Sequence, residues 1–514
     1  MAVPSFFTSE LSFDRSKSTP IYRQLVAEIR KAIHEKILSP GAQLPATRTL
    51  AEALGVSRTT VVKAYRKLRE EGYFRSHIGS GTYVAEQLTE KHIELQNTSE
   101  EAPLSLQLTN VEARSLSFPT RVRQALDQPF SRLEAPNFQK AFRPGIPALD
   151  AFPIETWSRL VSQHWRTVDS EELVYGSPAG LASLRAEVAE YLRTTRGVRC
   201  EADQILIVSG VQQALSLTAS TLLQRGDTAI VEDPGFPHIQ RSLTAAGASL
   251  RHTPVDKEGL KHPFNNHQQE ERGEESTEHR NPKIVAVTPS HQFPLGVTMS
   301  QSRRVDLLEW AAQTDTWIFE DDYDSQYRYS GNPVAALQGM DNSGRVLYAG
   351  TFSKVLFPAL RIGYLVVPPD LVETMTQMRA LFDRCPPRII QQVLADFIQD
   401  GYLEEHIGKM RTLYTNRQSL LMDAIDKHLP DLITVAPSNA GLHLVGWLPE
   451  GTDDEAVSKL LREHNILAPP LSFYTDCHPK RSAILLGYAG VPEEKIEENV
   501  ERMAGLLKQA QTEL

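Results

Sequence analysis

Apolar residues recur every four positions between Pro20 and Lys36, at Ile21, Leu25, Ile29 and Ile33, with Val26 beside them and charges between. That period predicts an amphipathic helix, which Ser39-Pro40-Gly41 stops. Leu50, Ala51, Leu54, Val56, Val61 and Leu68 continue a helical pattern that Gly55 interrupts. They predict a short helix, a glycine turn and a second helix capped by Ser57. Tyr73–Val84, with Gly79-Ser80-Gly81 at its middle, predicts a β-hairpin. From Gln87 to Pro103 the apolar pattern gives way to polar and acidic residues, as in a flexible linker. Scattered apolar positions over 104–139 suggest an arm.

Beyond residue 140 the pattern changes. Short apolar runs such as Ile205–Val208, Ala229–Val231, Ile284–Val287, Trp317–Phe319 and Ala483–Leu486 alternate with helical stretches. This predicts an α/β unit with a parallel sheet. The polar stretch 261–282 reads as a surface insertion, and its His262, His267 and His279 lack metal-site spacing.

With 514 residues the chain is too long for one core, so two or three domains are expected. The net charge of −10 conceals an asymmetry: residues 11–85 carry +7 and the remainder −17. A basic module on an acidic body points to a polyanion partner for the first part alone. Cys200, Cys385 and Cys477 are far apart and read as free thiols of a reducing compartment. No leader pattern opens the chain and no apolar run could span a bilayer, so a cytoplasmic setting without membrane contact is expected. No metal site is expected.

Gly350–Tyr364 concentrates the chemistry. Lys354 sits among small and apolar residues, with Thr351 and Ser353 just before it and Arg361 seven residues after. A desolvated lysine has a lowered pKa and can attack an aldehyde; hydroxyls and a guanidinium suit the phosphate of an aldehyde cofactor such as pyridoxal phosphate (PLP). A surface lysine at a strand-to-helix turn is the plainer alternative. Ser209-Gly210-Val211-Gln212 turns a strand into a helix, where backbone N–H groups bind phosphate. Asp321 and Asp322 close a strand at the end where α/β sheets bind ligands, and a carboxylate there can pair with a pyridine nitrogen. One of the two could equally cap a helix. Phe236 could stack on such a ring or be ordinary core.

Two resemblances follow from these motifs. Leu44–Arg48, Gly55–Val61, Ala64-Tyr65, Glu71-Gly72 and Gly79–Val84 resemble the winged helix-turn-helix of the GntR family of bacterial transcription regulators. The resemblance implies a mostly α DNA-binding domain over 13–85, then a linker and arm over 86–139. Arg48, Ser57, Arg58, Thr59, Thr60, Lys63 and the wing around Gly81 would meet double-stranded operator DNA. Over 140–514 the order of a glycine turn, an aromatic, an Asp/Tyr pair, a lysine 33 residues after Asp321 and an arginine resembles the aspartate-aminotransferase fold, fold type I of the PLP enzymes, with large and small domains. That implies Lys354 as the residue bonded to PLP, Asp321 on its ring nitrogen, Tyr323 on its ring hydroxyl and Phe236 stacked on the ring. Gly210, Val211, Gln212, Thr351 or Ser353, and Arg361 would hold the phosphate. Tyr175 would reach the phosphate of a neighbouring subunit in a homodimer.

The two parts together resemble the MocR/GabR-type regulators, whose second part senses a small-molecule effector. Ser290–Pro294, which brings His291 into the cofactor-binding set, and Glu320–Ser325 look like that group's motifs. An amine, an amino acid or PLP itself is the expected effector; an aminotransferase with an appended DNA-binding domain is the alternative. Two departures from the enzymes matter. Phe293 replaces the asparagine that would bond the ring hydroxyl, and the arginine that would clamp a substrate carboxylate is missing near Leu485; Arg481, four residues away, is a candidate substitute, and an uncompensated carboxylate in a dry site counts against a simple amino-acid substrate. No residue gives a positive sign of complete transamination.

Overall fold

The computed structural model describes residues 7, 13–14, 19–77, 81–86, 119–126, 140–261, 281–330, 334–477 and 481–512. The expected linker, most of the arm, part of the wing tip and most of the 261–282 insertion lie outside the described residues. Two compact units, Met1–Leu116 and Ser117–Leu514, divide the chain.

In the first unit α1 (Ile21–His34), α2 (Thr47–Leu54) and α3 (Arg58–Glu70) pack beside a small antiparallel sheet. Its strands are β1 (Gln43–Leu44), β2 (Phe74–His77) and β3 (Gly81–Val84), in the order β1-β3-β2. The apolar period of α1 becomes its buried face: Leu25, Val26, Ile29 and Ile33 meet Leu50, Val61, Leu68 and Phe74 in one core. Gly55 ends α2 at φ 61°, a left-handed conformation that turns the chain toward α3.

The second unit is built on an eight-stranded sheet in the order β4-β11-β10-β9-β8-β5-β6-β7. The strands are β4 (Ile205–Val208), β5 (Thr228–Asp233), β6 (Ser249–Asp256), β7 (Gly259–Leu260), β8 (Ile284–Val287), β9 (Trp317–Asp322), β10 (Val346–Thr351) and β11 (Gly363–Val366). Strands β10, β9, β8, β5 and β6 pair in parallel, whereas β11 runs antiparallel to both β10 and β4. Every residue of β4, β8, β9, β10 and β11 is buried, as expected of strands with both faces covered. Strand β4 shows why: Ile205 and Ile207 enter one core, Leu206 and Val208 the other. A separate core gathers around the pair β12 (His443–Trp447) and β13 (Ala483–Gly487), the 27-residue helix Tyr402–His428 and the helix Glu493–Thr512. No helix among the described residues is long and apolar enough to cross a membrane.

Candidate cofactor site and DNA reader

The parallel strands deliver their last residues to one end of the sheet, and Lys354, Asp321, Tyr323 and His291 lie about that end. Lys354 follows β10, and its Nζ donates to the carbonyl of Gly145 at 2.9 Å. Burial lowers its pKa; Asp324 and Asp321 oppose that shift, and Arg143 and Arg361 reinforce it. Asp321, next to last in β9, is buried. Burial and the neighbouring Asp322, Asp324 and Glu232 push its carboxyl well up, partly offset by Lys354. Its Oδ1 has no protein hydrogen-bond partner, and neither has the buried Ser353 Oγ.

Tyr323 Oη lies 3.0 Å from His291 Nδ1, and the same nitrogen lies 2.9 Å from Asp324 Oδ2. His291 and Asp324 are both almost wholly buried. Burial, then the charge of Asp324, keeps Tyr323 protonated and able to donate. The His291 ring occupies the space a side chain at Gly441 would need: a Cβ there, at φ +91°, would lie 2.0 Å from Cε1.

At the other end, Gly210 opens the helix Val211–Leu222 at φ 106°. The first-turn amides of a helix have no intrahelical acceptor, and Val211 and Gln212 occupy that turn here. Arg361, itself left-handed at φ 51°, comes alongside: a Cβ on Gly210 would sit 3.6 Å from its Nη1. Thr351 Oγ1 is engaged, accepting the N–H of Ser353 at 3.1 Å and donating to the Ile362 carbonyl at 3.4 Å. Phe236 packs edge-on against Phe293, ring centroids 5.3 Å apart. Phe293 in turn contacts the rings of Tyr323, His443 and Tyr474, so the residue in the asparagine's place is part of an aromatic wall.

Two expectations change. Asp322 is not a helix cap: it pairs with buried Arg196 at 2.9 Å and accepts from the Tyr348 hydroxyl. Arg481 does not fill the place near Leu485; it lies over the Trp447 ring, 4.2 Å from its centroid. Tyr175, expected to serve a neighbouring subunit, lies at the surface. It is 71% exposed, under the Arg384 guanidinium at 4.0 Å, in a cleft of about 850 Å³ that Trp165 and Pro386 also line. Asp324 and Arg196 were missed as site residues. The run Glu320-Asp321-Asp322-Tyr323-Asp324 was the available signal, since so many acids at a buried strand end need partners. Asp233, His252 and Cys477 bring donor atoms within 4.8 Å of one another. Both Asp233 oxygens already accept the N–H groups of Asp476 and Cys477.

In the first unit Ser57 caps α3, accepting the N–H of Thr60 at 3.2 Å, and its Oγ lies 2.8 Å from the hydroxyls of Thr59 and Thr60. Arg58, Thr59 and Lys63 are exposed along the start of α3, and Arg48, paired with Glu52 at 3.2 Å, lies on α2. Gly81, at φ 115°, begins β3. Tyr65 ties α3 to the loop before α2 by donating to the Pro45 carbonyl at 3.0 Å.

A winged helix-turn-helix joined to an aminotransferase-type body defines the class. The family model for bacterial regulatory proteins of the gntR family matches residues 21–84, and that for class I and II aminotransferases matches 151–503. The chain is 38% identical to the probable rhizopine catabolism regulatory protein MocR of Rhizobium meliloti, over 95% of this chain and 94% of that protein. It is 29% identical to the pyridoxine biosynthesis transcriptional regulator PdxR of Corynebacterium glutamicum, over 95% and 96% respectively. Among solved structures it resembles Pyrococcus horikoshii kynurenine aminotransferase, crystallised with PMP, at a TM-score of 0.66 and 28% identity, over 78% of this chain and 97% of that one. The chain belongs to the MocR-type family: DNA-binding transcriptional regulators in which a GntR reader precedes a class I and II aminotransferase domain.

Proposed function

We propose that the protein binds PLP at Lys354 and uses it to sense a small amine-bearing effector, amino acid or amine, or PLP itself. The observation that carries this reading is Asp321. A buried carboxylate without a donor is costly, and a protonated pyridine nitrogen is the donor such a group suits. Bound PLP supplies the aldehyde that captures primary amines. Lys354, whose pKa burial lowers, is the competing amine. Tyr323 donates toward the ring hydroxyl and His291 fixes its orientation. The amides of Val211 and Gln212, the Ser353 hydroxyl and Arg361 take the phosphate. Phe236 covers the ring.

Residues 13–85 read the operator with Arg48, Ser57, Arg58, Thr59, Thr60, Lys63 and the wing at Gly81; 86–139 link and brace; 140–514 sense and dimerise. The second copy covers an exposed apolar face. Leu173 and Val174, 63% and 64% exposed, line one cleft with Tyr175 and Trp165, and contiguous exposed apolar side chains of this kind mark interaction sites. In that dimer Tyr175 serves the partner's phosphate site. The effector acts by binding one arrangement of the two readers better than the other. The setting is the cytoplasm, with the operator.

The test is the absorbance spectrum of the purified protein supplied with PLP. A visible band near ~420 nm that borohydride bleaches and Lys354→Ala abolishes is expected from the cofactor's chemistry. A wild-type protein that develops no such band refutes the cofactor reading.

A further inference from the structure

We propose that Asp324 is a positioning residue: it fixes the proton of His291 on Nδ1 and so keeps the Tyr323 hydroxyl a donor to the ring oxygen of the cofactor. This inference rests on the reading of PLP at Lys354.

A single nitrogen faces two oxygens. His291 Nδ1 lies 2.9 Å from Asp324 Oδ2 and 3.0 Å from Tyr323 Oη. A ring nitrogen holds either a hydrogen or a lone pair, and a carboxylate oxygen only accepts. Facing Asp324, Nδ1 therefore carries the hydrogen. It then has no lone pair for the Tyr323 O–H, and the phenol's hydrogen is left for another acceptor. The far side of the ring agrees. Nε2 is buried without a hydrogen-bond partner, and a neutral ring with a bare lone pair there costs less than a buried cation whose N–H finds no acceptor.

The pair is held in place. The His291 ring is wedged between two glycines: a Cβ on Gly441 would lie 2.0 Å from Cε1, and one on Gly296 would lie 3.1 Å from Nε2. The side chains of His291 and Asp324 are each 1% exposed, so solvent has little access to their bond. Asp324 is tied to the lysine loop as well. Tyr327 N–H donates to its carbonyl at 3.0 Å, closing a turn, and the buried Tyr327 hydroxyl donates to the carbonyl of Val355, next to Lys354, at 3.0 Å.

This arrangement bears on the ring hydroxyl because Phe293, in the asparagine's place, offers it no hydrogen bond and leaves that contact to Tyr323. A bare Nδ1 would take the phenol's hydrogen and turn the donor away from the cofactor. Asp324 also acts on the phenol directly: after burial, its charge and a hydrogen bond hold the Tyr323 proton on its oxygen. The other charged and titratable groups about Tyr323 and His291 are Asp321, Glu232, Lys354 and His443. Burial lowers the pKa of His443 to about 4, so it stays neutral near pH 7. Glu232, raised by burial to about 7, titrates there.

The experiment compares the full-length, PLP-loaded wild type with Tyr323→Phe, Asp324→Leu and the double variant, each titrated with pH while the visible band is followed. Glu232 is common to all of them and drops out of the comparison. A donor on the ring oxygen favours the form of the chromophore that has lost its proton. Tyr323→Phe should therefore raise the midpoint by about one to two pH units, the worth of a hydrogen bond to a charged group. With Asp324→Leu the hydroxyl already turns to His291, so adding Tyr323→Phe should move the midpoint by less than about half as much. A purely structural or electrostatic role for Asp324 leaves the two shifts equal. Equal shifts overturn the proposal, as does a wild type whose midpoint is insensitive to Tyr323→Phe. If Asp324→Leu does not fold, Asp324→Ala, which also lacks an acceptor, is compared in the same way. A wild type with no band at all removes the cofactor reading itself, a result distinct from these.

Discussion

Replacing Arg196 by methionine tests how the acidic end of β9 is kept in place. Arg196 reaches across 126 residues of sequence to Asp322, with Nε 2.9 Å from Oδ2. Its other nitrogens donate to Ser290 Oγ at 2.8 Å and to the Val334 carbonyl at 2.7 Å. The side chains of Arg196 and Asp322 are only 8% and 1% exposed, so solvent screens the pair little. Methionine fills much of the same volume but strands the Asp322 carboxylate, which keeps only the Tyr348 hydroxyl. Removing one partner of a buried pair costs roughly 3–5 kcal/mol, mainly through the charge left behind. The two other lost bonds are worth about 1 kcal/mol each and do not simply add. Urea unfolding of the full chain, followed by tryptophan fluorescence, reads the loss; all five tryptophans lie in the second unit. The double variant Arg196→Met/Asp322→Asn should recover a good part of it, since no charge is then stranded. Because Asp321 adjoins Asp322, the single variant should also hold PLP more weakly. A loss below about 1 kcal/mol, or a double variant no more stable than the single, would refute the stranded-charge account.

Other substitutions test neighbouring claims. Burial raises the pKa of Glu232 to about 7, against the hydrogen bonds it accepts from Thr288 and Gln292. The folded protein therefore keeps that proton where the unfolded chain has lost it. Its contribution is full below the ordinary carboxylate value and declines as pH rises to about 7. Relative to the wild type, Glu232→Gln should gain stability across that interval in denaturation curves; a constant difference would contradict the assignment. Gly441→Ala forces a methyl onto His291 and should destabilise by about 1–3 kcal/mol while disturbing the Tyr323 contact; a protein unchanged in melting and in cofactor spectrum would show that His291 is free to move. Arg58→Ala should weaken duplex binding and reduce the slope of log affinity against log salt by about one, and an unchanged slope would remove Arg58 from the phosphate contacts.

Local periodicity made the reader legible. The four-residue spacing of α1 and the Gly55 break correspond to its core and turn because contacts within a few residues of each other set both. The lysine loop was legible for a similar reason: Lys354, Ser353, Thr351 and Arg361 lie within eleven residues of one another. Partnerships across the fold were not. Nothing near Arg196 in sequence announces Asp322, and nothing near His291 announces Gly441, since each pair meets only after the sheet has assembled. Arg481 shows the converse error. Four residues of extended chain cover roughly 13 Å, and the loop before β13 uses that distance to lay the guanidinium on Trp447.

The antiparallel strand β11 has a mechanical consequence. It makes Thr351 and Gly363 register partners, so Ser353, Lys354 and Arg361 all belong to one hairpin loop clamped at both ends within the large sheet. The separation between Lys354 and Arg361 is therefore set by a single covalent closure.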